Sequence, residues 1–567
     1  MVKLTLVVFL LSVQFLLDAS AKKPKPVRTP IVRTRLGRIN GTISTTRLGR
    51  SIFSFRGIRF AEAPINELRF APPVPVKKWR GVYDATKDGP LCPQETKPTK
   101  NPVTISEDCL ILNVYTPKLH NNKKSPKLPV IVFIHDGGYL RGGSASYMYG
   151  PEYLLDHDVV LVTLNYRLGT LGFFNTGEKE APGNNGLRDQ ILALKWIKDN
   201  IESFGGDSDS VTITGSSVGG WSVAYLMVSP LAQGLFHKAV VTSGTPTGVL
   251  TLVPNQMDVA KQQAQFVGCP DDTTAKMISC LRGKPYQEII DSYKEFKGLT
   301  GQKSSFIWWP SIESDFGQER VVPAHPIEIL KSGVFNKVPL MTGQSKDEYG
   351  YQAYNVVYNE TMRNLLNEDF EKYAPDVFTY EKDTELSRNI SRAIKSFYLK
   401  DKDIDESQLD NVIAIFADVT VGFAVNRFTK LVATASDKPV YYFEFTYQGA
   451  FSNFYTPTSN FTKPFGIVHH DDLIYLFRQN KFPISEENHP KDVELIEKFT
   501  SIYANFAKTG NPIPTKSEKM DNVEWVPFTV QNNKYLEIGN ELVMKENLFK
   551  ERFSVLEKAV PLIPTQH

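Results

Sequence analysis

The residues with the plainest capacity for chemistry lie in Val211-Thr212-Ile213-Thr214-Gly215-Ser216-Ser217-Val218-Gly219-Gly220. Here an apolar β-branched run meets the pattern Gly-x-Ser-x-Gly, and a helix-compatible stretch from Trp221 to Val228 follows. Glycines on both sides allow a sharp strand-to-helix turn that lifts the central serine out of a sheet, and the helix N-terminus behind it favours developing negative charge. That is the setting of a serine nucleophile in acyl transfer. The pentapeptide alone would arise by chance in about one chain in six at this glycine and serine content, so its strand-then-helix context carries the weight. A second strand-like run, Ile131-Val132-Phe133-Ile134, continues into His135-Asp136-Gly137-Gly138-Tyr139. Two glycines at a strand's exit leave N–H groups open to a substrate oxygen. Gly137, Gly138 and the N–H of Val218 are therefore the candidate oxyanion donors.

A nucleophilic serine needs a base, and the base needs an acid to orient it. Among the nine histidines, the stretch Gly466-Ile467-Val468-His469-His470-Asp471-Asp472-Leu473 sets two ahead of an apolar run, and on chemistry alone either could be the base. The run Val338-Pro339-Leu340-Met341-Thr342-Gly343 reads as a strand, and Gln344-Ser345-Lys346-Asp347-Glu348 puts acids at its exit.

The elements that must position these groups alternate. Val130 to Ile134, Val159 to Leu164, Val211 to Ile213, Ala239 to Val241, Val338 to Met341 and Val440 to Phe445 read as buried strands of a mostly parallel sheet. Leu187, Ile191, Leu194, Ile197 and Ile201 recur on one helical face, and Gly205-Gly206 stops that helix, giving a βαβ unit. From Ile31 to Phe60, short β-rich runs between glycine turns suit antiparallel hairpins. Residues 360–421 are helical by pattern and suit a cap over the sheet. No internal repeat or Pro/Ser-rich linker divides the chain, so a single α/β domain over 22–567 is expected.

The 567 residues carry 65 basic and 62 acidic side chains, a net charge of +3, which gives no basic stripe for nucleic acid and no disordered polyelectrolyte. Residues 1–21 read as a signal peptide: a short positive start, an apolar run from Leu4 to Leu17, and Ala19-Ser20-Ala21 as the cleavage pattern. No later stretch reads as apolar enough to span a membrane, so a secreted, extracellular protein is expected. In an oxidising compartment four cysteines favour two disulfides, and proximity favours Cys92 with Cys109 and Cys269 with Cys280. No cysteine or histidine spacing suggests a metal site. Sequons stand at Asn40, Asn359, Asn389 and Asn460. Tyr139, Phe306, Trp308 and Trp309 are aromatic candidates for a substrate gorge, with at least one of the paired tryptophans expected in the core.

Taken together, these stretches resemble the type-B carboxylesterase and cholinesterase family of the α/β-hydrolase fold. The resemblance extends over Phe55-Arg56-Gly57-Ile58-Arg59-Phe60-Ala61, Ser106-Glu107-Asp108-Cys109-Leu110, Asn185-Gly186-Leu187-Arg188-Asp189-Gln190, Phe204-Gly205-Gly206-Asp207 and Thr242-Ser243-Gly244. It implies a large, mostly parallel twisted sheet flanked by helices, with helical insertions. It implies Ser217 as nucleophile, Glu348 as acid and His469 as base, in the chain order expected of this fold. The cysteine pattern of the family agrees with the two pairings. The implied reaction is hydrolysis of a small-molecule carboxylic ester with no cofactor and no metal; the oligomeric state is not implied.

The chain also departs from the family pattern. Asp136 stands where a first glycine is usual, Val218 where alanine is usual, and Tyr349 where glycine commonly follows the acid. Ser216 replaces the glutamate of cholinesterases and the glutamine of juvenile hormone esterases, and the Cys92 to Cys109 stretch lacks the tryptophan of a choline site. A carboxylesterase is therefore expected, with a juvenile hormone esterase as the narrower alternative. A binding or adhesion protein of the same fold that has lost turnover is the reading from another class.

Overall fold

A computed structural model describes residues 29–96, 103–119, 126–249, 256–297, 307–454 and 465–562. The expected leader over 1–21, Phe306 and the sequon at Asn460 lie outside the described residues.

The β-branched runs assemble into one sheet of eleven strands. In chain order these are β1 (Thr42–Thr45), β2 (Ser51–Arg59), β3 (Ile111–Thr116), β4 (Leu128–Ile134), β5 (Val160–Leu164), β6 (Gly206–Ser216), β7 (Lys238–Thr242), β8 (Leu340–Ser345), β9 (Val440–Phe445), β10 (Lys534–Ile538) and β11 (Leu542–Glu546). Across the sheet the order is β11-β10-β9-β8-β7-β6-β4-β5-β3-β2-β1. The strands from β10 to β5 in that order are parallel, whereas β11 at one edge and β3, β2 and β1 at the other are antiparallel to their neighbours. Ile31–Arg33, Arg38–Asn40 and Val82–Asp84 make a separate small sheet. The mostly parallel sheet and the N-terminal hairpins are as expected.

Alternation along the parallel strands buries both faces of the sheet. Val130, Val132 and Ile134 of β4 pack into one hydrophobic cluster, and Ile131 and Phe133 into another on the opposite face. Helix α1 (Asn185–Asn200) joins β5 to β6 and buries the expected stripe from Leu187 to Ile201. A single 3₁₀ turn follows, and Gly205, at φ 84°, reverses the chain so that β6 can start at Gly206. Strand β8 begins later than the sequence reading, at Leu340, because Pro339 has no N–H for the ladder, and it runs on to Ser345.

The expected helical insertion is present as Glu360–Glu368, Phe370–Phe378, Glu385–Ile394, Leu409–Ala417 and Phe423–Ala435. Its apolar faces form a third cluster that reaches the sheet through Tyr442 and Tyr535. One expectation is corrected here: residues 406–435 are helical, long and apolar enough to cross a membrane by length and composition. Yet 83% of the apolar window is buried within the protein. A π turn at Asp418–Gly422 interrupts the run, and the buried Asp418 takes two hydrogen bonds from Arg552. The apolar character serves the third core.

Both expected disulfides form, Cys92–Cys109 and Cys269–Cys280, with Cα separations of 5.0 and 5.7 Å. Asn389 is exposed, and Asn359 caps the helix that starts at Glu360 by accepting from the Met362 N–H at 3.1 Å. Asn40, at the end of a strand in the small sheet, is half-buried.

Candidate active site

Strand β6 ends at Ser216 and helix α2 (Val218–Val228) begins at once, leaving Ser217 alone at the bend with φ 58° and ψ −129°. A non-glycine residue in that region is strained and persists only where its surroundings dictate it. Two glycines do so here. A Cβ on Gly215 would lie 2.4 Å from the Gly219 backbone, and one on Gly219 would lie 2.2 Å from the Ile134 carbonyl at the end of β4. The Ser217 N–H is held by the Thr242 carbonyl at 3.0 Å. Val218 is buried in the main hydrophobic cluster.

Past the end of β4, Gly137 and Gly138 adopt φ 107° and 67°. A Cβ on Gly137 would meet the Arg141 carbonyl at 2.0 Å, so no side chain fits that turn. Among the described residues, the N–H groups of Gly137, Gly138 and Val218 donate to no protein acceptor. Asp136, the acid where a glycine was expected, accepts a hydrogen bond from the Tyr149 hydroxyl at 3.1 Å and faces His470 Nε2 at 3.6 Å. Its charge is thus committed to a tyrosine and to the second histidine of the pair.

Acid and base come from two loops 121 residues apart. Glu348 is fully buried past β8; one carboxylate oxygen accepts the Ser345 N–H at 2.9 Å, and the other meets His469 Nδ1 at 2.5 Å. Burial works against a charged imidazole, but the charge and hydrogen bond of Glu348, helped by Asp136 and Asp472, outweigh it and raise the His469 pKa above its ordinary value. His470 stacks on His469 at 3.9 Å, and burial together with the His469 charge holds it well below the ordinary histidine range. Of the two histidines that the sequence offered, only His469 is paired with Glu348.

The side chains that tie these loops together carried no recognised signal. Asp347 gives its N–H to the Ile467 carbonyl at 2.9 Å and accepts the Ile467 N–H at 3.0 Å. Asp471 accepts from the Ser452 hydroxyl, the Asn453 N–H and the Val468 N–H at 2.7–3.0 Å. Burial nevertheless pushes the Asp471 and Asp472 carboxyls up to about 7. Acids flanking the expected triad positions were the one available hint.

Tyr349, standing where glycine commonly follows the acid, stacks its ring on His469, with centroids 4.4 Å apart and planes at 25°, and its hydroxyl lies 3.3 Å from His469 Nε2. Among the described residues, no direct hydrogen bond links Ser217 to His469.

Of the aromatic candidates, Trp308 is fully buried in the core against Phe174, whereas Trp309 packs with Trp221 of α2 and with Tyr139 near the elbow. Among the described residues, no three His, Cys, Asp or Glu side chains are grouped so as to hold a metal ion.

A carboxylesterase family model matches residues 28–556. Esterase FE4 of Myzus persicae is 35% identical over 88% of this chain and 87% of its own length. The juvenile hormone esterase of Tribolium castaneum is 34% identical over 91% of this chain and 88% of its own length. The crystal structure of juvenile hormone esterase from Manduca sexta, with OTFP covalently attached, superimposes with a TM-score of 0.80 at 27% identity, covering 94% of this chain and 99% of that one. A strand-to-helix serine bend on an eleven-stranded mixed sheet, matched along nearly the whole chain by named esterases, leads to one conclusion: the chain belongs to the carboxylesterase family, and its chemistry is the hydrolysis of carboxylic esters on an α/β-hydrolase fold.

Proposed function

We propose that this chain is a secreted serine carboxylesterase working through an acyl-enzyme on Ser217, with His469 as base, Glu348 as its orienting acid, and Gly137, Gly138 and Val218 as oxyanion donors. The observation that carries the reading is the buried 2.5 Å contact between His469 Nδ1 and Glu348, which leaves Nε2 of the neutral imidazole as the acceptor a general base needs. As Ser217 attacks the ester carbonyl, its proton passes to the imidazole, and Glu348 stabilises the resulting charge. The unpartnered N–H groups stabilise the tetrahedral oxyanion, each worth about 3 kcal/mol in the transition state. Alcohol departs with the imidazole's proton, and water repeats the sequence on the acyl-enzyme.

Two disulfides and the N-terminal pattern support an oxidising, extracellular destination for a single domain over 22–567, with glycans at Asn40, Asn359, Asn389 and Asn460. The juvenile hormone esterase of Tribolium castaneum is no more similar than Esterase FE4, and Ser216 departs from the residue usual in juvenile hormone esterases, so a broad carboxylesterase is the better reading. The test is covalent: a fluorophosphonate should add one adduct to the wild-type chain by intact mass and none to Ser217→Ala. Absence of the adduct from the wild type would overturn the acyl-enzyme.

A further inference from the structure

Asp136 and His470 lie on two different loops of the site and meet there. Asp136 directly precedes the oxyanion donors Gly137 and Gly138, and His470 directly follows the base. His470 stands at φ 72°, a left-handed state that is uncommon for a residue with a side chain and persists where the surroundings dictate it. Its ring lies against that of His469, with centroids 3.9 Å apart and planes at 35°. Its Nε2 is buried, has no hydrogen-bond partner among the described residues, and faces the Asp136 carboxylate at 3.6 Å. That separation is too long for a hydrogen bond, but a carboxylate so placed favours the tautomer that carries the proton on Nε2. Asp136 is held in turn by the Tyr149 hydroxyl at 3.1 Å, and the His470 carbonyl accepts from Asn453 Nδ2 at 2.6 Å. Burial and the charge of His469 keep His470 well below the ordinary histidine range, so the second ring stays neutral. A neutral ring attracts a cation stacked on it, whereas a charged one would repel it.

We propose that Asp136 and His470 are positioning residues for ester hydrolysis, a second acid and imidazole couple that lies against His469 and favours its charged form as it takes the Ser217 proton. The proposal rests on the Ser217, His469 and Glu348 reading above and leaves its proton transfer as it stands, since neither Asp136 nor His470 gains or loses a proton. The other groups that bear on the base are Glu348 and Tyr349 from the loop after β8 and Asp472 from its own loop. Arg141 and Lys481 act against a charge on His470, which helps to keep that ring neutral. A pair present only to fill the space between the two loops would need neither the carboxylate charge nor the imidazole.

The test is the pH dependence of p-nitrophenyl ester hydrolysis and of fluorophosphonate labelling in the full chain. Asp136→Asn keeps the shape and an acceptor for Tyr149 but loses the charge. The pH at which kcat/KM reaches half its plateau is expected to fall by about half a unit, because the charged imidazole loses support, and the plateau to fall by up to about threefold. His470→Gly suits the positive φ and removes the second ring. With it in place, adding Asp136→Asn is expected to shift the midpoint by less than half as much. A midpoint unmoved in Asp136→Asn, or a shift of undiminished size beside His470→Gly, would overturn the couple. If Asp136→Asn does not fold, Asp136→Gly takes its place with the same expected shift and the same overturning result. Failure of the underlying reading looks different: the wild type would then take no label on Ser217 at all.

Discussion

The nucleophile and the base are held in different ways. Ser217 is locked by backbone contacts: Gly215 against Gly219, Gly219 against the end of β4, and a strand and helix that leave a single residue between them. His469 is held by side chains reaching between loops: Glu348 on Nδ1, Asp347 on Ile467, Asp471 on Val468, and the rings of Tyr349 and His470 against its own. A backbone lock admits almost no substitution at its glycines. A side-chain lock can change partners: the departures at Tyr349 and Asp136 bring new side chains against His469 and His470, whereas those at Ser216 and Val218, either side of Ser217, leave the glycines of the bend in place. The lesson is that geometry imposed by backbone crowding tolerates little variation, whereas geometry imposed by hydrogen bonds can be rebuilt with other residues.

The sharpest way to break the comparison is Glu348→Gln, which removes the charge from the base side while leaving the elbow untouched. Turnover of a p-nitrophenyl ester is expected to fall about 10⁴-fold, with the folded state retained by circular dichroism. A loss of less than tenfold would mean that His469 is oriented by something other than Glu348. Gly137→Ala breaks the other side, since its new Cβ would crowd the Arg141 carbonyl and displace an oxyanion donor. A loss of about 10² to 10³ in kcat is expected, with the pH dependence unchanged because the base is not involved.

The pH profile then separates the two regions directly. His469 must be neutral to accept a proton, and its pKa is raised chiefly against burial by Glu348. Activity in the wild type should therefore rise with pH, with its midpoint above the ordinary histidine value of about 6.5. The same raised pKa favours the folded state below the unfolded-state value, and that gain is lost as pH rises through the folded one. A flat kcat/KM between pH 5 and 8 would argue against a histidine base.

The smallest expected effect is on stability. Glu444 of β9, beside Gln344 in the register, is buried with one carboxylate oxygen unpartnered, and burial with the nearby Glu537 raises its pKa to about 7. Stability from such a raised carboxyl is present at low pH and lost as pH climbs through that value. Glu444→Gln should therefore raise Tm at pH 8, by about 1 to 2 kcal/mol in stability, and change it little at pH 5. Equal effects at both pH values would show that the carboxyl does not titrate there.

Periodicity and turn chemistry made much of the fold legible. Five apolar residues from Leu187 to Ile201 were enough for α1, and Gly205 marked the reversal after it. The strand-glycine-serine-glycine-helix succession was equally local, so the Ser217 bend could be read before any coordinates. Residues 406–435 were less legible, because an apolar helix destined for a protein core and one long enough for a membrane share the same composition. That Val218, standing where alanine is usual, is buried in the main cluster could be read only from the packing.

By itself the amino-acid order determined the elements whose geometry is imposed by neighbours in the chain: the parallel strands, the crossover helix, and the bend that presents a serine. Which histidine meets Glu348, that Asp136 turns to Tyr149 and His470, and that the ring of Tyr349 stacks on the base were decided only by the tertiary structure. The reason is distance along the chain. Hydrogen bonds and ring contacts act over a few ångströms, and the groups that make them here, Glu348 and Tyr349 against His469, are brought together only when loops more than a hundred residues apart meet.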